Sequence, residues 1–174
     1  MPSISLDHCP KTLWKNGAGV TQELLRLGEE PFELRFSVAQ VTNDGPFSIY
    51  PEHDRVLLLL EGRLQLFRTK DNILLNTFEP FYFSGDEVIT SKLLTGKSRD
   101  FNVIYRKGIK VEVEVLKLDN TFIVLEKNTY VYVSNGQLEY EGAFYSDALF
   151  YDSGKIKITT PTEIIVIRKL EKES

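Results

Sequence analysis

Apolar and polar residues alternate with a period of two over much of the chain, and this pattern restricts what the chain can fold into. Leu34, Phe36 and Val38 alternate with polar or small residues, which places the three apolar side chains on one face of a β-strand. The same alternation occurs in residues 63–67, 110–118, 129–133 and 155–159. Because helical periodicity is scarce, the sequence predicts an all-β protein.

Turn-forming residues separate these segments at short intervals. They are Asn-Asp-Gly at 43–45, Glu-Gly at 61–62, Ser-Gly-Asp at 84–86, Asn-Gly at 135–136 and Ser-Gly at 153–154. Many short strands with this spacing favour an all-β barrel or sandwich.

A weak internal repeat is present. Residues 59–67 resemble residues 133–141, with Gly62 aligned with Gly136. Ser-Gly recurs further along each copy, at 84–85 and at 153–154. Two related β-units, the second shorter, would explain this repeat. The alternative explanation is that any two β-hairpins look alike.

The composition excludes several classes of function. A hydrophobic content of 42% is sufficient for a core, and the net charge of -4 with scattered basic residues gives no support to nucleic-acid binding. No apolar run approaches the roughly 18 residues of a membrane span. No signal peptide is recognisable in the first thirty residues. The single cysteine, Cys9, has no partner for an internal disulfide. We therefore expect a soluble cytoplasmic protein.

Three blocks of the chain combine Gly, Asn, Asp and Arg with aromatic residues beside the predicted strands. They are residues 14–24, residues 43–55, and the two segments 83–88 and 100–106. In the first block, residues 16–19 form a glycine-rich turn whose backbone N–H groups can bind an anion. Thr21 and Glu23 then share a strand face. The alternative to a binding role is an ordinary loop that leads into a strand, with Trp14 packed over it.

The second block contributes His53 and Arg55, which also share a strand face. A lone histidine is more often structural than a ligand. Metal sites in β-barrels usually use two or three histidines with a carboxylate, and the only other histidine is His8. We therefore expect no metal site. Arg55 and Arg35 offer guanidinium groups that match a carboxylate.

The third block contributes Asp100 and Asn102, again on one strand face. The carboxylate could pair with an arginine, bind a ligand directly or act as an acid or base, and the residues alone leave these roles open. With two histidines and one cysteine, no Ser-His-Asp or Cys-His arrangement is evident.

Five motifs occur in order within these blocks and the strand between them. They are W-x-N-G-x-G-x-T-x-E from Trp14, R-x-S-x-A from Arg35, D-G-P-F-S-x-Y-P-x-x-D-R from Asp44, F-x-G-D from Phe83 and D-F-N-V-x-x-R from Asp100. In order and spacing this set resembles the HutD/Ves family, over about residues 10 to 107. Ala18 stands where the family usually has a third glycine.

The resemblance implies a bicupin, with two cupin-like jelly-roll β-barrels in one chain. Residues 1–108 would form a larger N-terminal barrel with the ligand site. Residues 109–174 would form a smaller C-terminal barrel, into which the N-terminal strands could exchange. Ordinary metal cupins carry several histidines in their two motifs, whereas the corresponding regions here contain only His53. The resemblance therefore implies a cupin without metal or other cofactor.

The resemblance also implies a function in histidine utilisation. Family members are proposed to bind a small acidic catabolite, N-formylglutamate or a relative, without catalysis, and to moderate histidine breakdown. The residues expected to bind the ligand are Asn16, Thr21, Glu23, Arg35, Ser37, His53, Arg55, Asp100 and Asn102. Two alternatives stay open: a metal-independent enzyme acting on a small carboxylic acid, and a homodimeric interaction module presenting aromatic residues between 140 and 151.

Overall fold

The computed structural model describes residues 1–170, and their regular structure is almost entirely β-strand, which confirms the all-β class. One short 3-10 helix, Leu6–His8, follows the first strand. The strands up to residue 106 are β1 (Ser3–Ser5), β2 (Lys11–Leu13), β3 (Gly19–Leu27), β4 (Leu34–Val41), β5 (Gly45–Pro46), β6 (His53–Glu61), β7 (Leu64–Phe67), β8 (Asn72–Leu74), β9 (Phe81–Ser84), β10 (Thr90–Leu93) and β11 (Ser98–Arg106). The later strands are β12 (Lys110–Leu118), β13 (Thr121–Leu125), β14 (Thr129–Asn135), β15 (Leu138–Tyr140), β16 (Ala143–Tyr145), β17 (Ala148–Tyr151), β18 (Gly154–Ile158) and β19 (Thr162–Leu170). No helix in the described part of the chain is long and apolar enough to cross a membrane.

The chain divides into two compact units. The N-terminal unit is Pro10–Gly108. The C-terminal unit combines Met1–Cys9 with the chain from Ile109 onward. Residues 1–9 belong to the C-terminal unit because β1 pairs with β17, with Ser3 opposite Phe150.

The N-terminal unit contains two antiparallel sheets, ordered β2-β3-β4-β11-β6-β9 and β5-β10-β7-β8. Leu57 and Leu59 of β6 pack against Leu64 and Leu66 of β7 in one buried apolar cluster. This cluster joins one face of the six-stranded sheet to one face of the four-stranded sheet, as the alternation of apolar residues along both strands predicts.

The C-terminal unit also contains two antiparallel sheets, ordered β1-β17-β14-β19-β12 and β13-β18-β15-β16. Its core is built from aliphatic residues and Phe150, with Tyr140 and Tyr145 packed against them. Phe144 lies on the opposite face of its strand and is exposed. Most of the aromatic residues between 140 and 151 are therefore core residues.

The two units share one strand order. The run β4-β11-β6-β9 corresponds to β12-β19-β14-β17, and β5-β10-β7-β8 corresponds to β13-β18-β15-β16. The internal repeat seen in the sequence thus reflects a repeated topology.

Gly62 and Gly136 occupy equivalent positions in the two units. Both have a positive φ, of 86° and 104°. A Cβ on Gly62 would lie 2.9 Å from the Cα of Ser98, and one on Gly136 would lie 2.8 Å from the Cα of Thr162. Ser98 and Thr162 begin β11 and β19. Each glycine lets a hairpin approach the start of a central strand closely.

The expectation of closed barrels is wrong in one respect. Among the described residues, hydrogen bonding leaves two separate sheets in each unit instead of a continuous ring of strands. In the N-terminal unit, for example, the large sheet ends at β2 and β9. The two sheets are held together by side-chain packing, because the burial of apolar faces does not require a continuous hydrogen-bonded edge.

Replacement of Gly136 by alanine should lower the free energy of unfolding by about 1–3 kcal/mol, because the new Cβ meets backbone and the φ is unfavourable. Gly142 is the matched control, since its φ is also positive but its Cβ direction is empty. Gly142→Ala should cost about 1 kcal/mol. Urea denaturation of both variants measures the difference, and equal losses would contradict the packing argument.

Candidate functional site

The inner face of the six-stranded sheet has an apolar half and a polar half. Leu57 and Leu59 of β6 face the apolar core. Further across the sheet, β11, β4 and β3 carry polar residues on the same face. Asn102 lies opposite Leu57, Ser37 opposite Asn102, and Glu23 opposite Ser37. Asp100 and Arg35 occupy neighbouring rows of this face. Antiparallel register therefore collects polar residues from three strands on one surface.

A small cavity of about 40 Å³ lies over this polar surface. It is lined by Trp14, Thr21, Arg35, Ser37, Ala39, Phe47, Ser48, Tyr50, Arg55, Asp100, Asn102 and Ile104. A space of this size holds about three waters or one carboxyl group.

A larger open cleft of about 760 Å³ shares several lining residues with the cavity, among them Trp14, Arg35 and Tyr50. The cleft is additionally lined by Asn16, Glu23 and Arg26 among others. Cavity and cleft are therefore neighbouring compartments of one site, with a combined size in the range of small-molecule pockets.

Three buried side chains form a hydrogen-bonded chain beside the cavity. Nη2 of Arg55 donates to Oδ1 of Asn102 at 2.7 Å, and Nδ2 of Asn102 donates to Oδ1 of Asp100 at 2.5 Å. Nη1 of Arg55 also donates to the carbonyl of Ser48 at 3.1 Å. Nε of Arg55 and Oδ2 of Asp100 are buried without a hydrogen-bond partner. Asn102 thus bridges a guanidinium and a carboxyl group that both retain hydrogen-bonding capacity.

Burial is the main cause of the shifted pKa values of Asp100 and Arg55. It raises the pKa of Asp100 to about 7, although the charge of Arg55 and the hydrogen bond from Asn102 act in the opposite direction. Burial also lowers the pKa of Arg55 to about 10. Arg55 is charged at neutral pH, whereas Asp100 is divided between its two protonation states.

Arg35 belongs to an ion cluster at the boundary between cavity and cleft. Its Nε donates to Oε2 of Glu23 at 2.5 Å, and its Nη1 donates to the hydroxyl of Tyr50 at 2.8 Å. Arg26 binds the same carboxylate through two nitrogens, at 3.1 and 2.9 Å. Partial burial disfavours the charged form of Glu23, but these hydrogen bonds outweigh it and lower its pKa.

A β-bulge brings Arg26 to this cluster. The pairing of β3 with β4 shifts register between Glu23 and Leu25, so that Arg26 lies opposite Arg35. Without the bulge, residues 23 and 26 would face opposite sides of the strand. Arg26 was not expected in the site from the sequence, because regular alternation assigns it to the other face of the strand.

Aromatic side chains surround the guanidinium groups. The carbon Cζ of Arg55 lies 4.8 Å from the ring centroid of Phe83 and 5.3 Å from that of Tyr50. Trp14 donates from Nε1 to Oγ1 of Thr21 at 2.7 Å and packs edge-on against Phe47. The π faces of Phe83 and Tyr50 stabilise the Arg55 cation.

Close backbone contact holds the Tyr50 loop in place. The N–H of Gly85 donates to the carbonyl of His53 at 2.8 Å, and the N–H of Tyr50 donates to the carbonyl of Gly85 at 2.8 Å. A Cβ on Gly85 would lie 2.7 Å from the carbonyl oxygen of His53. The F-x-G-D motif therefore positions Tyr50 through the absence of a side chain at Gly85.

His53 lies apart from the cavity and the cleft. Its Nδ1 is 2.7 Å from the carbonyl oxygen of Pro51, and its Nε2 is 3.0 Å from that of Phe32. Its ring is buried and packs on the ring of Phe32, with centroids 4.2 Å apart. Both nitrogens contact backbone, so this histidine links the start of β6 to the loop before β4.

The structure brings together most of the residues that the sequence analysis selected. Thr21, Arg35, Ser37, Arg55, Asp100 and Asn102 line the cavity, and Asn16 and Glu23 line the cleft. Trp14, Phe47 and Tyr50 also line the site but were not among the expected ligand residues, although all three lie within the motifs. Their aromatic character was compatible with ordinary core packing, and only the tertiary structure separates the two roles.

The C-terminal unit shows which of these residues the fold itself requires. Counting from the equivalent residues Ser98 and Thr162, Asp100 corresponds to Ile164 and Asn102 to Val166. Ile164 and Val166 are buried in the aliphatic core of the C-terminal unit. The same topology is therefore compatible with aliphatic residues at these two positions.

Two other chemistries receive no support from the geometry. In the described residues, no cluster of three His, Cys, Asp or Glu side chains is placed to hold a metal ion. Cys9 lies in the C-terminal unit, and its partial burial raises the pKa of the thiol. A raised pKa disfavours the reactive thiolate.

The buried carboxyl group predicts a pH dependence of stability. The pKa of Asp100 is raised from 3.8 to about 7, so its contribution to stability is fully present below 3.8 and is lost as the pH rises through about 7. Asp100→Asn, which keeps a neutral side chain, should gain stability relative to the wild type as the pH rises over this range. Urea denaturation followed by Trp14 fluorescence measures the difference, and a difference that stays constant with pH would contradict the assignment.

Comparison with known proteins agrees with this architecture. The HutD family model matches residues 6–158. The structure of PA5104, a conserved protein of unknown function from Pseudomonas aeruginosa PAO1, has a TM-score of 0.81 at 24% identity, covering 96% of this chain and 97% of that one.

Two further structures have related folds. HutD from Pseudomonas fluorescens SBW25 has a TM-score of 0.78 at 24% identity, covering 98% of this chain and 99% of that one. The nickel(II) complex of the pirin YhhW from Escherichia coli has a TM-score of 0.68 at 10% identity, covering 97% and 98%. These likenesses support a cupin-like fold, and the match to the family model over most of the sequence shows that the chain belongs to the HutD family.

Proposed function

We propose that this protein binds a small carboxylic acid, N-formylglutamate or a close relative, in its N-terminal unit without transforming it. The observation that carries the proposal is a pair of guanidinium groups, Arg35 and Arg55, on a cavity with room for one carboxyl group. An arginine side chain matches a carboxylate in both geometry and charge.

The two compartments suit a ligand with two different ends. The cavity accepts one small polar group, and the cleft accommodates the remainder near Asn16, Thr21 and the Arg26–Glu23 pair. Trp14 and Tyr50 line both compartments and can pack against the carbon chain of the ligand. This combination of rigid aromatic walls and a few polar groups is typical of metabolite sites.

The repeated topology supports a bicupin organisation, with two cupin-like units in one chain. Under this proposal the N-terminal unit is the larger one and binds the ligand. The C-terminal unit has the aliphatic residues Ile164 and Val166 in place of the polar pair, so it would contribute structure without a second site of this kind.

The ligand class can be tested by titration. Trp14 is the only tryptophan in the chain and lines the site, so its fluorescence should change when ligand binds. N-formylglutamate, glutamate, urocanate and formate should be compared, with thermal denaturation as an independent measurement because a ligand of the folded state raises its apparent stability. Absence of any change at millimolar concentrations would refute this function.

Arg35→Gln should weaken binding of the acid by about 10- to 100-fold, the equivalent of about 1.5–3 kcal/mol for a hydrogen-bonded charge. Arg26 still pairs with Glu23 in this variant, so the fold should be retained. The matched control is Arg99→Gln, because Arg99 lies on β11 next to Asp100, faces the other side of the sheet and pairs with Glu61. Equal dissociation constants for Arg35→Gln and the wild type would show that Arg35 does not bind the ligand.

A role in histidine utilisation follows as a proposal from membership of the HutD family. Cells that lack the protein should show altered levels of histidine-breakdown intermediates during growth on histidine. Reintroduction of the wild-type chain should restore these levels, whereas the Arg35→Gln variant should not. If both the wild-type chain and the Arg35→Gln variant restored these levels, the cellular role would not depend on binding of the acid by Arg35.

A metal-independent enzyme acting on a small carboxylic acid is the second candidate. Asp100 favours it, because a carboxyl group with a pKa of about 7 in a cavity is suited to proton transfer. Incubation of each acid with the purified protein, followed by NMR, distinguishes the candidates. Conversion of an acid by the wild type that is lost in Asp100→Asn would show that the protein is an enzyme and not only a binding protein.

A further inference from the structure

We propose that the cavity binds its acid together with one proton, and that Asp100 is the group that accepts this proton. The inference rests on the proposed binding function and adds a specific role for Asp100. The affinity of the protein for the anion would then depend on pH.

The surroundings of Asp100 leave one of its oxygens available for protonation. The side chain is 1% exposed. Oδ1 accepts the hydrogen bond from Asn102, whereas Oδ2 is buried and has no partner. A buried carboxylate with one unsatisfied oxygen is costly, and protonation relieves that cost.

The charged groups on the neighbouring strands determine how a bound anion would act on Asp100. Arg55 of β6 is joined to Asp100 through the side chain of Asn102, and its charge favours the ionised form of Asp100. Arg35 of β4 is already paired with Glu23 of β3. The remaining titratable group facing the cavity is the hydroxyl of Tyr50, which accepts a hydrogen bond from Arg35. In the unliganded site, Arg55 is therefore the principal positive charge that favours ionised Asp100.

A carboxylate entering the cavity competes for that charge. Its oxygens are acceptors for the guanidinium groups of Arg55 and Arg35, and it places a second negative charge beside Asp100. Two carboxylates that share one site do not both stay ionised, and the pKa of one of them rises. Transfer of one proton from solvent to Asp100 removes the repulsion, and no bond in the ligand is made or broken.

The C-terminal unit supports a functional origin for this carboxyl group. The position equivalent to Asp100 is the buried Ile164 in the same topology. An aliphatic residue is thus compatible with this place in the fold. Burial raises the pKa of Asp100 to about 7, so even a modest further increase on binding gives proton uptake at neutral pH.

Isothermal titration calorimetry with N-formylglutamate as the probe tests the proposal on the wild-type protein. Titrations at about pH 8 in two buffers with different ionisation enthalpies give the number of protons taken up per bound ligand, which should be clearly above zero and no greater than one. The dissociation constant should rise with pH above about 7, by up to tenfold per pH unit, the limit for uptake of one proton. Carbon-13 NMR of the aspartate carboxyl groups should show one resonance whose chemical shift changes on binding from that of a carboxylate towards that of a protonated carboxyl group.

Two variants make the assignment specific. Asp100→Asn should bind with no proton uptake and with an affinity that does not vary between about pH 6.5 and pH 8.5. Glu23→Gln removes a carboxylate from the same sheet face and should retain the proton uptake, whatever its affinity. Loss of uptake in Glu23→Gln but not in Asp100→Asn would overturn the assignment to Asp100.

The outcomes separate this inference from the proposed function. Binding by the wild type without proton uptake and without pH dependence overturns the inference and leaves the binding function intact. Absence of binding at every pH overturns both. Should Asp100→Asn fail to fold, the wild-type calorimetry and the carboxyl NMR still decide between uptake and no uptake.

Discussion

The antiparallel register of β4, β11 and β6 is the constraint on which the rest of the N-terminal unit depends. It aligns Ser37, Asn102 and Leu57 in one row across the sheet, so the polar cavity and the apolar core share a single face. A shift of the register by one residue would turn each of these side chains to the other face. The core cluster of leucines fixes the register, and the register then places the arginines and the carboxyl group.

The repeated topology gives the protein an internal reference for what folding requires. In the C-terminal unit the central strands meet through Val133, Ile164 and other aliphatic residues. In the N-terminal unit the equivalent of Ile164 is Asp100, a buried carboxyl group with one unpartnered oxygen. Such a group opposes folding, and only one of the two matching units carries it at this position. The strand order and the two glycines, Gly62 and Gly136, are what the units retain in common.

In the proposed function, recognition of an acid and its coupling to a proton both depend on burial. Burial away from water strengthens the attraction between Arg55 and an incoming carboxylate, and it also raises the pKa of Asp100 to about 7. Glu23 and Arg26, at the more exposed rim, are paired and remain charged. Under this proposal, the depth of each charged group in the site decides whether it stays charged or changes its protonation when the ligand binds.

The sequence by itself determined the all-β class, the repeat and most of the polar residues of the site, because a period of two assigns each residue to a sheet face wherever a strand is regular. Only the tertiary structure decided the rest. Alternation cannot show the bulge that brings Arg26 beside Glu23, nor that both nitrogens of His53 contact backbone carbonyls outside the cavity. It also cannot distinguish Trp14 and Tyr50 as cavity walls from core aromatics, or closed barrels from paired sheets. These features depend on which strands become neighbours and how deeply each side chain is buried, and both are set by contacts between residues far apart in the chain.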